Sequence, residues 1–303
     1  EILTAMRVAI KKLGLVSGER IRGELFKCLG IEGFDETARL MMDFGVLDQF
    51  RLLAFGVDPV EPMLSEPPLL AFMRALKCVL AGIRANDQPD ELLSQIIADQ
   101  AQLDAYRRML QVSLQGGRTR ERLLILCALM LQIHPVFDSP ANNLSDLVPA
   151  LFAEQLTQVF LLGQKETTYL RAVSGSFIRL ARLSKSKPEK LDYYRFFREF
   201  SSFGLDGALL AMIDLVTNRS KSVFNIDVLR QVFNTWFTQQ TEVVDPPRLV
   251  DGNLLIRELG IQPGAKLGYL LEAIREQQVI GLVRTADDAF AFGRREIAKL
   301  EFE

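Results

Sequence analysis

The sequence predicts an all-α protein, and three observations carry that prediction. Apolar residues recur with a period of about 3.6 in almost every segment, the spacing that lines one face of a helix. No segment shows the strict alternation of a half-buried strand, and no motif repeats at a fixed length. Turn-rich connections carrying proline and glycine separate the periodic runs.

The opening "EILTAMRVAIKKLGLVSGERI" reads as an amphipathic helix over 2–13 and a turn, without the cleavage-type end of a signal peptide. Helices are expected next over 18–29, where Ser17 can cap the first turn, and over 35–45. The stretch "FGVDPVEPMLSEPPL" (55–69) holds four prolines and breaks helix continuity. Periodic runs over 69–84, 90–114, 120–133, 144–162 and 166–183 follow. The polar, basic "LSKSKPEK" (183–190) then intervenes, with Pro188 suited to the first turn of a helix over 189–201. Further helices are expected over 206–217 and 225–239, where Trp236 falls on an apolar face. After the turn-rich "TEVVDPPRLVDGN" (241–253), a helix opened by Pro263 spans 265–279 and stops at Gly281, and a last one covers 286–300. The breaks divide the chain into 1–55, 56–185 and 186–303.

Composition narrows the class further. The 303 residues are 49% hydrophobic, enough for sizeable cores. Charged residues interrupt every apolar run before the ~18–20 residues of a membrane span, so a cytoplasmic protein with no membrane partner is expected. The first residue is Glu rather than Met, as in a piece of something longer. Cys28, Cys78 and Cys127 are odd in number and set in apolar helical runs, which suits buried thiols better than disulfides. A net charge of −2 neither demands nor excludes a polyanionic partner.

Three features invite a chemical reading. "QGGRTRER" (115–122) superficially resembles a polymerase nucleotide loop, but no D-x-D metal pair accompanies it. The plain expectation is a helix-ending Gly-Gly turn and a solvated basic helix start. His134 is the only histidine, too few for a metal cluster, and no nucleophile is paired with it, so a structural residue at a helix end is expected. Basic residues concentrate in the last third: Lys185, Lys187, Lys190, Arg195 and Arg198, Arg219 and Lys221, Lys266 and Arg275, then Arg294, Arg295 and Lys299. Beside them Gly260, Gly264 and Gly268 fall four apart around a helix start, although a glycine inside a helix costs about 1 kcal/mol relative to alanine. Free N–H donors at a helix start favour anions. Either a phosphate backbone or a tightly packed supporting helix would explain bared glycines there.

Two segments carry a resemblance. "LGLVSGERIRGELFKCLGIEGFDETARLMMDFGVLDQF" (13–50) resembles the neck of class II tRNA nucleotidyltransferases and poly(A) polymerases, through Val16, Ser17, Glu19, Arg20, Ile21, Glu24, Leu25, Gly45, Val46 and Leu47. "DGNLLIRELGIQPGAKLGYLLEAIREQQVIGLVRTADDAFAFGRR" (251–295) resembles the tail of the same family, with Gly252, Leu255, Gly260, Pro263, Gly264, Leu267, Gly268, Leu271, Gly281, Val283 and Thr285 in order.

The resemblance implies an elongated, multi-helical neck, body and tail that hold tRNA while a head adds nucleotides. The head, with its Mg²⁺ and ATP or CTP, would precede residue 1, so no catalytic residue, metal ligand or cofactor is expected in this chain. The neck residues Ser17, Glu19, Arg20 and Glu24 would support the nucleotide site, with Glu19 and Arg20 bracing a neighbouring helix. Lys185, Lys187, Lys190, Arg195, Gly264, Lys266, Gly268 and Arg275 would contact tRNA or another RNA. In the middle, "LCALMLQIHP" resembles an HD-type metal core with Leu131 and Gln132 in place of the ligands, a degenerate scaffold without phosphohydrolase activity. The alternative is a helical scaffold that keeps the fold, lacks RNA binding and pairs with a protein partner or with itself as a homodimer.

Overall fold

The computed structural model describes residues 2–30, 32–57, 66–85, 91, 93–134, 147–218 and 222–300. These are all-α apart from one short hairpin. In chain order the helices are α1 (Ile2–Ile10), α2 (Gly18–Leu29), α3 (Phe34–Asp43), α4 (Val46–Phe55), α5 (Glu66–Arg84), α6 (Gln100–Leu110) and α7 (Arg120–Ile133). Then come α8 (Val148–Phe160), α9 (Gln164–Leu183), α10 (Lys190–Phe200), α11 (Gly204–Thr217) and α12 (Ile226–Thr238). The last three are α13 (Gly252–Leu259), α14 (Ala265–Val279) and α15 (Ala286–Leu300).

Several expectations change at this level. Gly45, at φ 78°, turns the chain from α3 directly into α4, a helix the periodicity reading stopped short of. The run expected over 90–114 yields a short 3₁₀ turn, Leu93–Gln95, and then α6, started by the Asp99 carboxylate accepting the Gln102 N–H at 2.9 Å. The connection 241–253 ends in α13, capped by Asp251 accepting the Leu254 N–H at 2.8 Å. Pro263 lies outside α14, whose N-cap is Gly264.

The supposed Gly-Gly helix end is a β-hairpin, β1 (Ser113–Gln115) with β2 (Arg118–Thr119). Gly116 and Gly117 both take positive φ, 58° and 74°, the pair of left-handed residues that a tight two-residue hairpin requires.

Packing divides the chain into two compact units. One comprises Glu1–Ser186 with Ser202–Phe233, the other Lys187–Ser201 with Asn234–Glu303. In the first, α7 is buried on every side, as a helix without a polar face must be. Helices α9 and α11 come so close that a Cβ on Gly207 would lie 2.0 Å from the Ser176 hydroxyl oxygen. In the second, Val250, Leu255, Leu270, Ile274, Val283 and Ala289 form the core.

By length and composition, Lys190–Thr217 is apolar enough to cross a membrane, although Asp206 and Asp214 interrupt its apolar run. It is, however, broken at Ser201 (φ 51°), and most of its apolar window is buried in protein. The cysteines differ too: Cys127 is buried, Cys28 half-buried and Cys78 exposed.

His134 caps the end of α7 with its ring centroid 4.4 Å from that of Phe55 and 5.6 Å from that of Phe152. Burial, and then the Arg51 charge, pull its pKa down to about 4. The unfolded chain, with histidine near its ordinary value, takes the proton first, so acid favours unfolding. The contribution is whole above about pH 6.5 and is lost progressively toward pH 4. Denaturant titrations across that window should show a loss of about 2 kcal/mol that His134→Phe removes.

Candidate nucleic-acid interface

The neck residues occupy the start of α2. Ser17 sits at the N-cap, but its side chain makes no capping bond; its carbonyl accepts the Arg20 N–H at 3.0 Å. Glu19 and Arg20 are exposed and hydrogen-bond to no neighbouring helix among the described residues, so the expected bracing is not made. Glu24 is exposed and pairs with Lys27 at 2.8 Å. Arg20 and Glu24 instead rim a largely apolar groove of about 410 Å³ with Val16, Ile21, Met41 and Phe50. The residue that ties α2 down is one the motif reading passed over: Arg22 donates to the Leu161 carbonyl after α8.

The expected RNA-contacting bases are divided between the two units. Lys185 belongs to the first unit, and Lys187, Lys190, Arg195, Lys266 and Arg275 to the second. Within that second unit, acids lie within 4 Å of Lys190, Arg195 and Arg275. Arg195 grips Glu276 through two bonds of 2.6 and 2.7 Å, which raise its pKa further above the ordinary arginine value. Arg198 holds Glu272 at 3.2 Å, and Lys190 lies 3.8 Å from Glu242. The unit's sequence holds twelve Lys and Arg against fourteen Asp and Glu. Lys187 and Lys266 are exposed and paired with no acid among the described residues.

The glycines serve different ends. Gly260 (φ 67°) closes α13, and Gly264 (φ 152°) takes a conformation that a side chain would strain. Gly268 is helical, and a Cβ placed on it would meet nothing within 4 Å. Close helix packing therefore does not explain it. Gly268 and Arg275 line one cleft of about 270 Å³, together with Arg198, Arg248 and Glu272. Gly264 and Lys266 line another, of about 450 Å³, beside Ile261, Leu270 and Ile297. Arg248, in the turn after two prolines, had no sequence signal beyond its charge.

The largest polar assembly in the chain was invisible at the sequence level. Asp206, fully buried on α11, accepts from Tyr106 at 2.8 Å and from Tyr169 at 2.6 Å. Arg120 forks onto the same carboxylate at 2.6 and 2.9 Å, and bonds the Ser202 hydroxyl and carbonyl at 3.0 and 2.5 Å. Burial opposes the charge on Arg120, but Asp206 overrides it and holds the guanidinium ionised. Burial and then Asp206 push both tyrosines well above their usual range. The helix start expected to be a solvated basic face is thus a core element: Arg120 and Glu121 are both buried, and Glu121 pairs with Arg84. Next to it, Arg118 binds Glu166 at 2.9 Å, fastening the hairpin to the first turn of α9.

In the segment 126–135, where the resemblance to an HD-type core was drawn, Leu131 is packed in the core and Gln132 is half-buried. Among the described residues no three His, Cys, Asp or Glu side chains converge as metal ligands would. No known protein-family model and no curated protein matches the chain.

Proposed function

We propose that this chain is the RNA-holding part of a tRNA nucleotidyltransferase or poly(A) polymerase-like protein. In this reading it positions an RNA 3′ end for nucleotide addition by a head outside the chain. Mg²⁺ and ATP or CTP belong to that head, and this chain alone transfers nothing. Duplex RNA is held mainly by its shape, through phosphate and 2′-OH contacts, which suits a rigid helical support in the cytoplasm better than a reading head.

The observation that carries this reading is Gly268. Its neighbours in the family pattern, Gly260, Gly264 and Gly281, adopt positive φ and explain themselves by backbone geometry. Gly268 does not; it costs helix stability, and nothing in the described chain approaches it. A ligand backbone that needs the room would account for it. Gly268→Ala should therefore raise stability by about 0.5–1 kcal/mol while lowering tRNA affinity. Thermal melts paired with fluorescence-anisotropy titrations separate the two effects. Greater stability with unchanged affinity would remove the support.

One observation favours the scaffold alternative, namely the acid-balanced surface of the second unit and its internal ion pairs. A chain that self-associates in sedimentation runs and ignores tRNA at low salt would fit that reading instead.

A further inference from the structure

Among the described residues no hydrogen bond answers the guanidinium of Arg275 in the cleft. Its side chain is only 15% exposed, yet its sole ion pair among the described residues spans 3.9 Å to Asp245, too long for a hydrogen bond. A guanidinium offers five N–H donors in a planar fork, and those of Arg275 stay in contact with solvent at the cleft. Arg248 lines the same cleft, exposed and paired with no described acid.

Two of the acids nearby are already engaged, while the exposed Asp245 carboxylate, 3.9 Å from Arg275, is not. Asp251 accepts the Leu254 N–H at 2.8 Å, while Glu272 accepts the Tyr194 hydroxyl at 2.7 Å and holds Arg198. The cleft therefore presents two cations that no described acid holds by a hydrogen bond. Leu249, Val250, Leu271 and Ile274 supply apolar wall, and the bare Gly268 leaves one side open.

We propose that this cleft seats a single phosphodiester of an RNA strand. The Arg275 fork addresses two non-bridging oxygens, a geometry that matches guanidinium to phosphate. Arg248 adds the second charge, and the apolar wall receives the adjoining ribose or base. This inference rests on the RNA-holding reading and assigns its contact point: the cleft, rather than the Lys185–Lys190 linker.

The test uses the full chain with tRNA and, separately, inorganic phosphate. Arg248→Ala and Arg275→Lys, the latter keeping charge but losing the fork, should each weaken tRNA binding roughly tenfold. Arg248→Ala should also reduce the salt slope by about one. Arg257→Ala, on the exposed Glu258 pair, should change neither. If both cleft variants melt like the wild type and bind tRNA equally well, the cleft assignment is wrong while the RNA reading stands. If the wild type binds no tRNA, the RNA reading fails and the assignment of an RNA phosphodiester fails with it. The Arg275 Nε–H resonance then tells whether the cleft takes anions at all: a saturable shift with inorganic phosphate keeps an anion seat there, and an unmoved resonance overturns that too.

Discussion

Asp206→Ala should destabilise the first unit by about 3–5 kcal/mol, the largest single-residue effect in the molecule. The reason is not the loss of attraction alone. Asp206 and Arg120 are both almost fully buried, so deleting the carboxylate strands a desolvated guanidinium and two tyrosine hydroxyls at once. Asn at the same position keeps the volume and two acceptor lone pairs but no charge, so it should recover only part of the loss. Tyr106→Phe and Tyr169→Phe leave the ion pair intact and should each cost about 1–2 kcal/mol. Urea titrations followed by far-UV circular dichroism check this ordering. An Asp206→Ala midpoint equal to the wild type would mean that the buried pair is not formed.

The second large effect is on tRNA affinity as salt is raised. Counting only the linker and cleft cations that no described acid holds by a hydrogen bond, the second unit offers Lys187, Arg248, Lys266 and Arg275. Four phosphate contacts give a log–log slope of about −3, so raising salt fourfold should weaken binding roughly fifty-fold. Had Lys190, Arg195 and Arg198 been free as well, the slope would approach about −5. Their carboxylate partners lie within 4 Å and must be displaced before those bases can serve phosphate. The measured slope thus reads out whether the internal pairs open on binding.

The two levels of description part company for physical reasons. Helix identity was legible wherever a 3.6-period stripe ran long enough, as in α9 with its buried Tyr169, Leu170, Val173 and Phe177. Helix α13 was missed because eight residues give barely two turns of pattern, and α4 because Gly45 looked like a stop when it is a corner. The hairpin was missed because Gly-Gly serves equally after a helix and between strands. Charges were the hardest to place. Arg120 and Arg195 look alike in the sequence, yet one is sealed in the core on Asp206 and the other spans an exposed pair with Glu276. Their partners lie 86 and 81 residues away, beyond any local pattern. The bare face of Gly268 was anticipated as a question, and only the coordinates separate an open face from a packed one.

The most direct test is an anisotropy titration of labelled tRNA with the purified chain at about 20 mM salt, where electrostatic contacts are screened least. Saturable binding, competed by unlabelled tRNA and weakened at higher salt, is the predicted result. Flat anisotropy up to a large excess of protein, from a sample whose melt shows it folded, would contradict the account.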